Sequence, residues 1–179
     1  MEFFEVVARR RMHRHFSAEP VSHEDLRRLV WAGSRAPQAG NAPVRRFIVV
    51  DDPAIVRTLR QVMPSFISNA PAVIAICTDL DQIARLMGSR GRDLVSLIDV
   101  GTAAENIALA ATALGLGACF SQSSTAPALS AVLELPDHVR PDMLVAVGHI
   151  AATPSMPVRM KLPPIDLNRF GEPLEGAGA

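Results

Sequence analysis

The chain has 179 residues, 18 Lys+Arg against 18 Asp+Glu, 49% hydrophobic and 20% charged residues, which suits one globular domain with a sizeable core. Zero formal net charge excludes a protein that coats nucleic acid or an anionic membrane, because both need a large basic excess. The apolar runs Ala72 to Cys77 and Ala108 to Leu116 are too short or too interrupted to cross a bilayer, and the charged N-terminus has no signal-peptide core. Cys77 and Cys119 lack metal-type spacing, so two reduced, buried thiols and a cytoplasmic location are expected. Only Lys161 among the basic residues is a lysine, and Arg9, Arg10, Arg11 and Arg14 crowd together.

Met1 to Arg11, with Phe3, Phe4, Val6 and Val7, predicts a short amphipathic helix whose basic end complements its dipole. Ser22 followed by Asp25 has the form of a capping box, so a helix is expected from His23 to about Arg35 with Leu26, Leu29 and Val30 inward. Ala36 to Pro43 holds two prolines, a glycine and Asn41 and reads as a loop before a strand at Phe47 to Val50. Asp52 then caps a helix with Pro53 in its first turn.

The continuous apolar run Pro71 to Thr78 suits a strand covered on both faces, in the middle of a sheet. From about Asp93 to Gly115, Leu97, Val100, Ala104, Ile107, Ala111 and Leu114 form one stripe, and Gly101, Ala108 and Thr112 a second face of small residues. This helix is expected to be buried nearly all round, its small face packed on the sheet or on a second subunit, with Gly115 and Gly117 ending it. A strand at Ala118 to Ser121, a helix capped by Ser124 or Thr125 and a strand at Met143 to Ile150 complete a layered domain of helices and strands, residues 1–150. Residues 151–179 carry Pro154, Pro157, Pro163, Pro164 and Pro173; their Leu162, Ile165, Leu167 and Phe170 favour an arm laid along a neighbour over a disordered tail.

Guanidinium forks match phosphate oxygens, so Arg10-Arg11-Met12-His13-Arg14 is a candidate phosphate site, although an arginine run alone is more often a solvated turn. Ala36-Pro37-Gln38-Ala39-Gly40-Asn41 combines a glycine with amides that donate and accept together, as a heteroaromatic ring edge requires. Glu105 and Asn106 lie in a mostly apolar stretch, so at least one needs a buried partner or a cavity. His13 and His15 have no local carboxylate or cysteine to complete a metal site, and Cys119 has no recognisable base, so no metal and no side-chain nucleophile is assigned. No P-loop or GxGxxG fingerprint is present.

Taken in order, these segments resemble the nitroreductase family of FMN-dependent oxidoreductases. The family's Arg-Arg-Ser-x-Arg-x-Phe run reads Arg10 to Phe16 here, with Pro20-Val21 after it, and its Ala-Pro-Ser-x-x-Asn element reads Ala36 to Asn41 before Arg46-Phe47. Asp99 to Asn106 and Ala113 to Gly117 resemble the long central helix and its glycine-rich exit, and Leu135-Pro136 with Arg140-Pro141 precede the last core strand. The resemblance implies an α+β, three-layer fold, a central mixed sheet flanked by helices, in an intertwined homodimer with an extended C-terminal arm. It implies that Arg10, Arg11, Met12 and Arg14, completed by Arg159 or Lys161, stand where the family holds the FMN phosphate and ribityl chain. Pro37, Gln38, Ala39 and Asn41 match the loop that a second subunit lends to the flavin, and Ser121 and Gln122 match the segment beside its ring.

The implied activity is hydride transfer from NADH or NADPH through FMN to a nitroaromatic, quinone or enone, with no conventional catalytic acid or base and no nucleic-acid or membrane partner. Three departures stand out: Met12 replaces the family serine, Pro43-Val44-Arg45 replaces a Gln-Pro-Trp stretch, and the chain is short between Asp79 and Asp93. The last suggests an open or differently capped pocket; with no tyrosine and Trp31 as the only tryptophan, aromatic stacking on a substrate is expected from Phe66 or Phe120, or from a partner. Two alternatives stay open: an FMN-dependent oxidase, dehydrogenase or flavin-processing enzyme of the same fold, and a non-catalytic FMN-binding or regulatory module. The physiological substrate and the choice between NADH and NADPH are not legible.

Overall fold

The computed structural model describes residues 1–63, 69–122, 126–152 and 163–174. Its centre is β2 (Ala72–Asp79), every residue of which is buried. The alternation of side chains along a strand sends Ala72, Ile74 and Ile76 into one core and Val73, Ala75 and Cys77 into the other, which is why the run is apolar without a period. β2 pairs with β1 (Arg45–Val50) on one side and β4 (Val139–His149) on the other, and β3 (Leu116–Gln122) completes the order β1-β2-β4-β3. All these pairings are antiparallel, so the expected mixed character is confined, among the described residues, to one parallel bridge between Met12 and Ala118.

Helices cover both faces. Against Ile74, Ile76, Val145 and Val147 pack α2 (His23–Ser34) and α5 (Ser96–Ala113); against Val73, Ala75, Leu144 and Ala146 pack α3 (Pro53–Val62) and α6 (Ala126–Val132). The α+β, three-layer architecture expected from the sequence is therefore present. Ser22 Oγ accepts from Asp25 N at 3.0 Å, and Asp52 Oδ1 accepts from Ala54 N and Ile55 N, so both predicted caps form. The helix expected to be capped by Ser124 or Thr125 exists as α6, but those two residues lie outside the described ones. Cys77 and Cys119 are free and buried, and burial pushes the Cys77 thiol up to about 12.

Three details differ from expectation. α1 (Phe3–Arg9) buries only Val6, leaving Phe3, Phe4 and Val7 exposed. α5 is less enclosed than its stripe suggests, because Leu97, Ile98 and Gly101 face outward. Gly115, at φ +75°, alone supplies the exit from the helix; Gly117 belongs to β3 and has a different task, described below.

The run 80–113 passes through α4 (Leu80–Arg90), a π-turn (Gly91–Val95) and α5, and by length and composition it could cross a membrane. It bends at Gly88 (φ 64°, ψ −159°), and α5 buries Val100, Ala103, Ile107 and Ala111 against the sheet as the core helix of the domain. Residues 163–174 are all exposed and form a local turn in which Leu174 N donates to Ile165 O and Phe170 is fully exposed.

Candidate functional site

The arginine segment leaves α1 and lies against the edge strand β3. Arg10 extends Nε to Glu105 Oε1 on α5 at 2.8 Å, while Arg11 turns back and donates from Nη1 to Ala8 O and Arg10 O at the end of α1. Met12 makes the parallel bridge to Ala118 and packs into the core on the α3 and α6 side. His13 N donates to Ala118 O at 2.9 Å, and Arg14 is exposed. Asn69 fixes the far end, accepting from Phe16 N at 2.8 Å and donating to Phe16 O at 2.6 Å. The predicted arginines thus lie on one stretch of backbone fixed at its two ends, by Arg10 on Glu105 and by Asn69 on Phe16.

The loop from Ala36 to Asn41 lies on α5. Asp99, buried in that helix, receives Ala39 N on its carboxylate at 3.0 and 3.3 Å, and Thr102 Oγ1 donates to Pro37 O at 3.4 Å. Arg45, buried beneath, donates to Ala36 O at 2.8 Å and to Asp99 O at 3.1 Å. Burial pulls the Arg45 guanidinium below its ordinary pKa, and the Asp99 charge opposes this. Gly40 (φ 59°) and Asn41 (φ 50°) both take the left-handed region that turns the chain back toward β1. At Gly40 a β-carbon would meet Met87 of α4, so α4 covers this loop from outside.

The sequence-predicted residues fall on two segments. Along the β3 edge Arg10 reaches Glu105, Arg11 turns back onto α1, Met12 packs on the α3 and α6 side and Arg14 is exposed; in the loop from Ala36 to Asn41, Pro37 and Ala39 are held on α5 by Thr102 and Asp99. Six residues of helix separate the two anchors, about 9 Å of rise. Ser121 is buried and Gln122 exposed at the end of β3, while Arg159, Lys161 and Phe66 lie outside the described residues. The polar pair on α5 is resolved: Glu105 takes Arg10, and Asn106 donates to Ala32 O at 3.1 Å.

Two residues escaped the sequence reading as parts of the site. Asp99 and Arg45 anchor the loop; a carboxylate within the apolar stretch of α5 was the available signal, of the same kind as Glu105 and Asn106. His13, inside the candidate phosphate segment, is 8% exposed, with Nδ1 buried and unpartnered among the described residues. Burial, then the Arg11 charge, holds its pKa below the ordinary value. Gln38 Nε2 is likewise buried without a partner. Among the described residues Arg45 Nε and Arg60 Nε are buried without a partner as well. Among the described residues no three His, Cys, Asp or Glu side chains gather as a metal site.

Comparison with known proteins gives this geometry a context. The model of the nitroreductase family matches residues 7–67 and 60–149. The FMN reductase (NADPH) of Bacillus subtilis is 28% identical over 162 residues, 82% of this chain and 65% of the relative, so the chain spans just under two thirds of that protein's length. An NADPH-dependent oxidoreductase of Staphylococcus aureus is 28% identical, with 89% of this chain and 69% of the relative covered. A nitroreductase family protein from Clostridium difficile superposes with a TM-score of 0.76 at 26% identity, over 89% of this chain and 90% of the other.

Proposed function

Because the chain belongs to the nitroreductase family, we propose that it is an FMN-dependent oxidoreductase that takes hydride from NADH or NADPH and delivers it to a nitroaromatic, quinone or enone. The observation that carries this reading is the family match itself, since residues 7–67 and 60–149 take in the arginine strip, the loop from Ala36 to Asn41 and α5. Exposed Arg14 with half-buried Arg10 and Arg11 offers guanidiniums that suit the phosphate of FMN in the segment that the family pattern assigns to it.

FMN, when bound, supplies the hydride-accepting and hydride-donating chemistry. The residues of this chain bind and orient. Arg10, Arg11 and Arg14, with Arg159 or Lys161, hold the phosphate end; Pro37, Gln38, Ala39 and Asn41 present amide and backbone groups to the ring edge; Ser121 and Gln122 flank it. Met12 contributes packing where the family has a hydroxyl. No side chain needs to act as acid, base or nucleophile in hydride delivery, so the design problem is orientation and exclusion of water.

The reading includes a homodimer in which the loop from Ala36 to Asn41 serves the partner's cofactor. Exposed Phe3, Phe4 and Val7 on α1, Leu94, Leu97 and Ile98 leading into α5, and Phe170 in the arm support it, because each is a large apolar side chain that the single chain leaves uncovered. The two free, buried cysteines favour a cytoplasmic location.

Purified protein is expected to be yellow and to bleach when NADPH or NADH is added without oxygen, and Arg14→Ala is expected to retain less flavin. Colourless protein indifferent to added FMN would overturn the reading. Yellow protein that neither nicotinamide bleaches would favour the oxidase alternative instead.

A further inference from the structure

We propose that a cleft between α3 and the segment leading into α2 binds a small carboxylate with an apolar body, apart from the two segments read as the cofactor site. The cleft has a volume of about 340 Å³, within the size range of small-ligand pockets, and no residue of the arginine segment or of the loop from Ala36 to Asn41 lines it. Its walls are apolar and stiff: Pro20, Pro53 and Pro71 bring three rings without a backbone N–H, with Val21 and Val56 beside them. Two cross-links hold these walls in place. Asn69 accepts from Phe16 N and donates to Phe16 O, and Arg60 Nη2 donates to Ala70 O at 2.7 Å, which ties α3 to the residues that enter β2.

The charge on the lining favours an anion. Arg57 and Arg60 stand three residues apart on α3 and so share a face of it; both line the cleft, and neither has an ion pair among the described residues. The acids nearby are engaged elsewhere. Asp51, the one carboxylate on the lining among the described residues, has Oδ2 2.7 Å from His23 Nε2; Asp52 caps α3 through Ala54 N and Ile55 N; Glu19 Oε1 lies 3.8 Å from His149 Nε2. Two guanidiniums against one occupied carboxylate leave local positive charge in a chain whose formal net charge is zero. Exposed Arg57 can set its fork on a carboxylate in the bidentate manner that suits both groups. A bare inorganic anion would leave the proline walls wet, whereas a ligand with an apolar body covers them.

Amide chemical shifts of the protein in excess FMN, followed as benzoate is added, test this. Saturable shifts are expected at Val56, Arg57 and Ala70, and R57Q is expected to bind benzoate about tenfold or more weakly. Arg57 is exposed and unpaired, so R57Q should melt with wild type, and its loss of binding is then a loss at the cleft. Benzamide, the same ring without the charge, and inorganic phosphate, the charge without the ring, are each expected to bind wild type at least about tenfold more weakly than benzoate. No shift at these amides in about 10 mM benzoate, or an unchanged affinity in R57Q, would overturn the site. Benzamide as tight as benzoate would overturn the anion, and phosphate as tight as benzoate would overturn the apolar body.

Discussion

Arg45 and Asp99 grip the same loop from two directions, Arg45 through Ala36 O at 2.8 Å and Asp99 through Ala39 N at 3.0 Å, while Arg45 also donates to the Asp99 carbonyl at 3.1 Å. Both are buried, so neither can trade these bonds for water. Arg45→Met is therefore expected to cost about 1–3 kcal/mol by removing both bonds and stripping the Ala36 carbonyl of its guanidinium donor, while Asp99 O keeps Thr102 Oγ1. At about 2–4 °C per kcal/mol for a chain of this size, the melting temperature should drop by several degrees. The amide of Ala39 should also exchange faster, which hydrogen-exchange measurement would show; an unchanged melt and unchanged exchange would refute the clamp.

Much of this frame was legible because it depends on local chemistry. Ser22 and Asp52 announced their helices by the side chains that cap them, and β2 announced its central place by having no polar residue until Thr78. The clamp was not legible, because Arg45 and Asp99 are 54 residues apart and only the crossing of β1 beneath α5 makes them neighbours. His13 was hidden for the same reason: its burial comes from the missing side chain of Gly117, which read as a helix stop. The exposure of Leu97 and Ile98 has a different origin, since periodicity tells which side chains share a face but not whether a subunit or solvent lies over it.

Gly101 gives a test of the proposed dimer. A β-carbon there meets nothing within 4 Å in the single chain, and the residue lies inside α5, so Gly101→Ala should stabilise an isolated subunit by about 0.5–1 kcal/mol. If a second subunit covers Leu97, Ile98 and Gly101, the added methyl instead weakens association. Sedimentation or light scattering across a dilution series separates the cases: a weakened dimer supports the covered face, and a more stable monomer with no dimer at any concentration refutes it.

Gly148 predicts the opposite sign. Its β-carbon would lie 2.7 Å from Pro71 Cδ and 2.9 Å from Phe16 Cδ1, both fixed by rings, and Phe16 is held by Asn69. Gly148→Ala is expected to destabilise by about 1–3 kcal/mol through overpacking and to loosen the arginine strip with it. Urea unfolding gives the first quantity; a variant as stable as wild type would show that Phe16 can move without loss.

His13 also sets a pH dependence for the apoprotein. Its folded pKa lies below the unfolded value, so between the two the unfolded chain binds the extra proton, and stability falls as pH drops below about 6.5. H13L removes that proton uptake and should flatten this part of the curve. Urea unfolding of both proteins at several pH values between 5 and 7.5 measures the difference, and parallel curves would sink the assignment of the effect to His13.

Asp142 carries the reverse sign and offers the sharpest electrostatic test. Its carboxylate accepts from Thr78 Oγ1 at 2.5 Å and from Arg140 Nε, and Arg140 Nη2 continues to Ser96 Oγ at 2.9 Å, tying β2, β4 and α5 together. Burial holds the carboxyl above its ordinary value even though Thr78 and Arg140 both pull it down. A raised folded pKa means that stability declines as pH rises from the unfolded value, near 3.9, through the folded one. Arg140→Met removes the cation and raises that pKa further, so its deficit should be largest at neutral pH and should close as the solution is acidified. Breaking a fully buried pair costs about 3–5 kcal/mol; with the Arg140 side chain 26% exposed, about 2 kcal/mol is the expected loss at pH 7. Adding Asp142→Asn to Arg140→Met should recover part of it and remove the pH dependence. A deficit of equal size at pH 5 and pH 7.5 would show that Arg140 acts by packing rather than by charge.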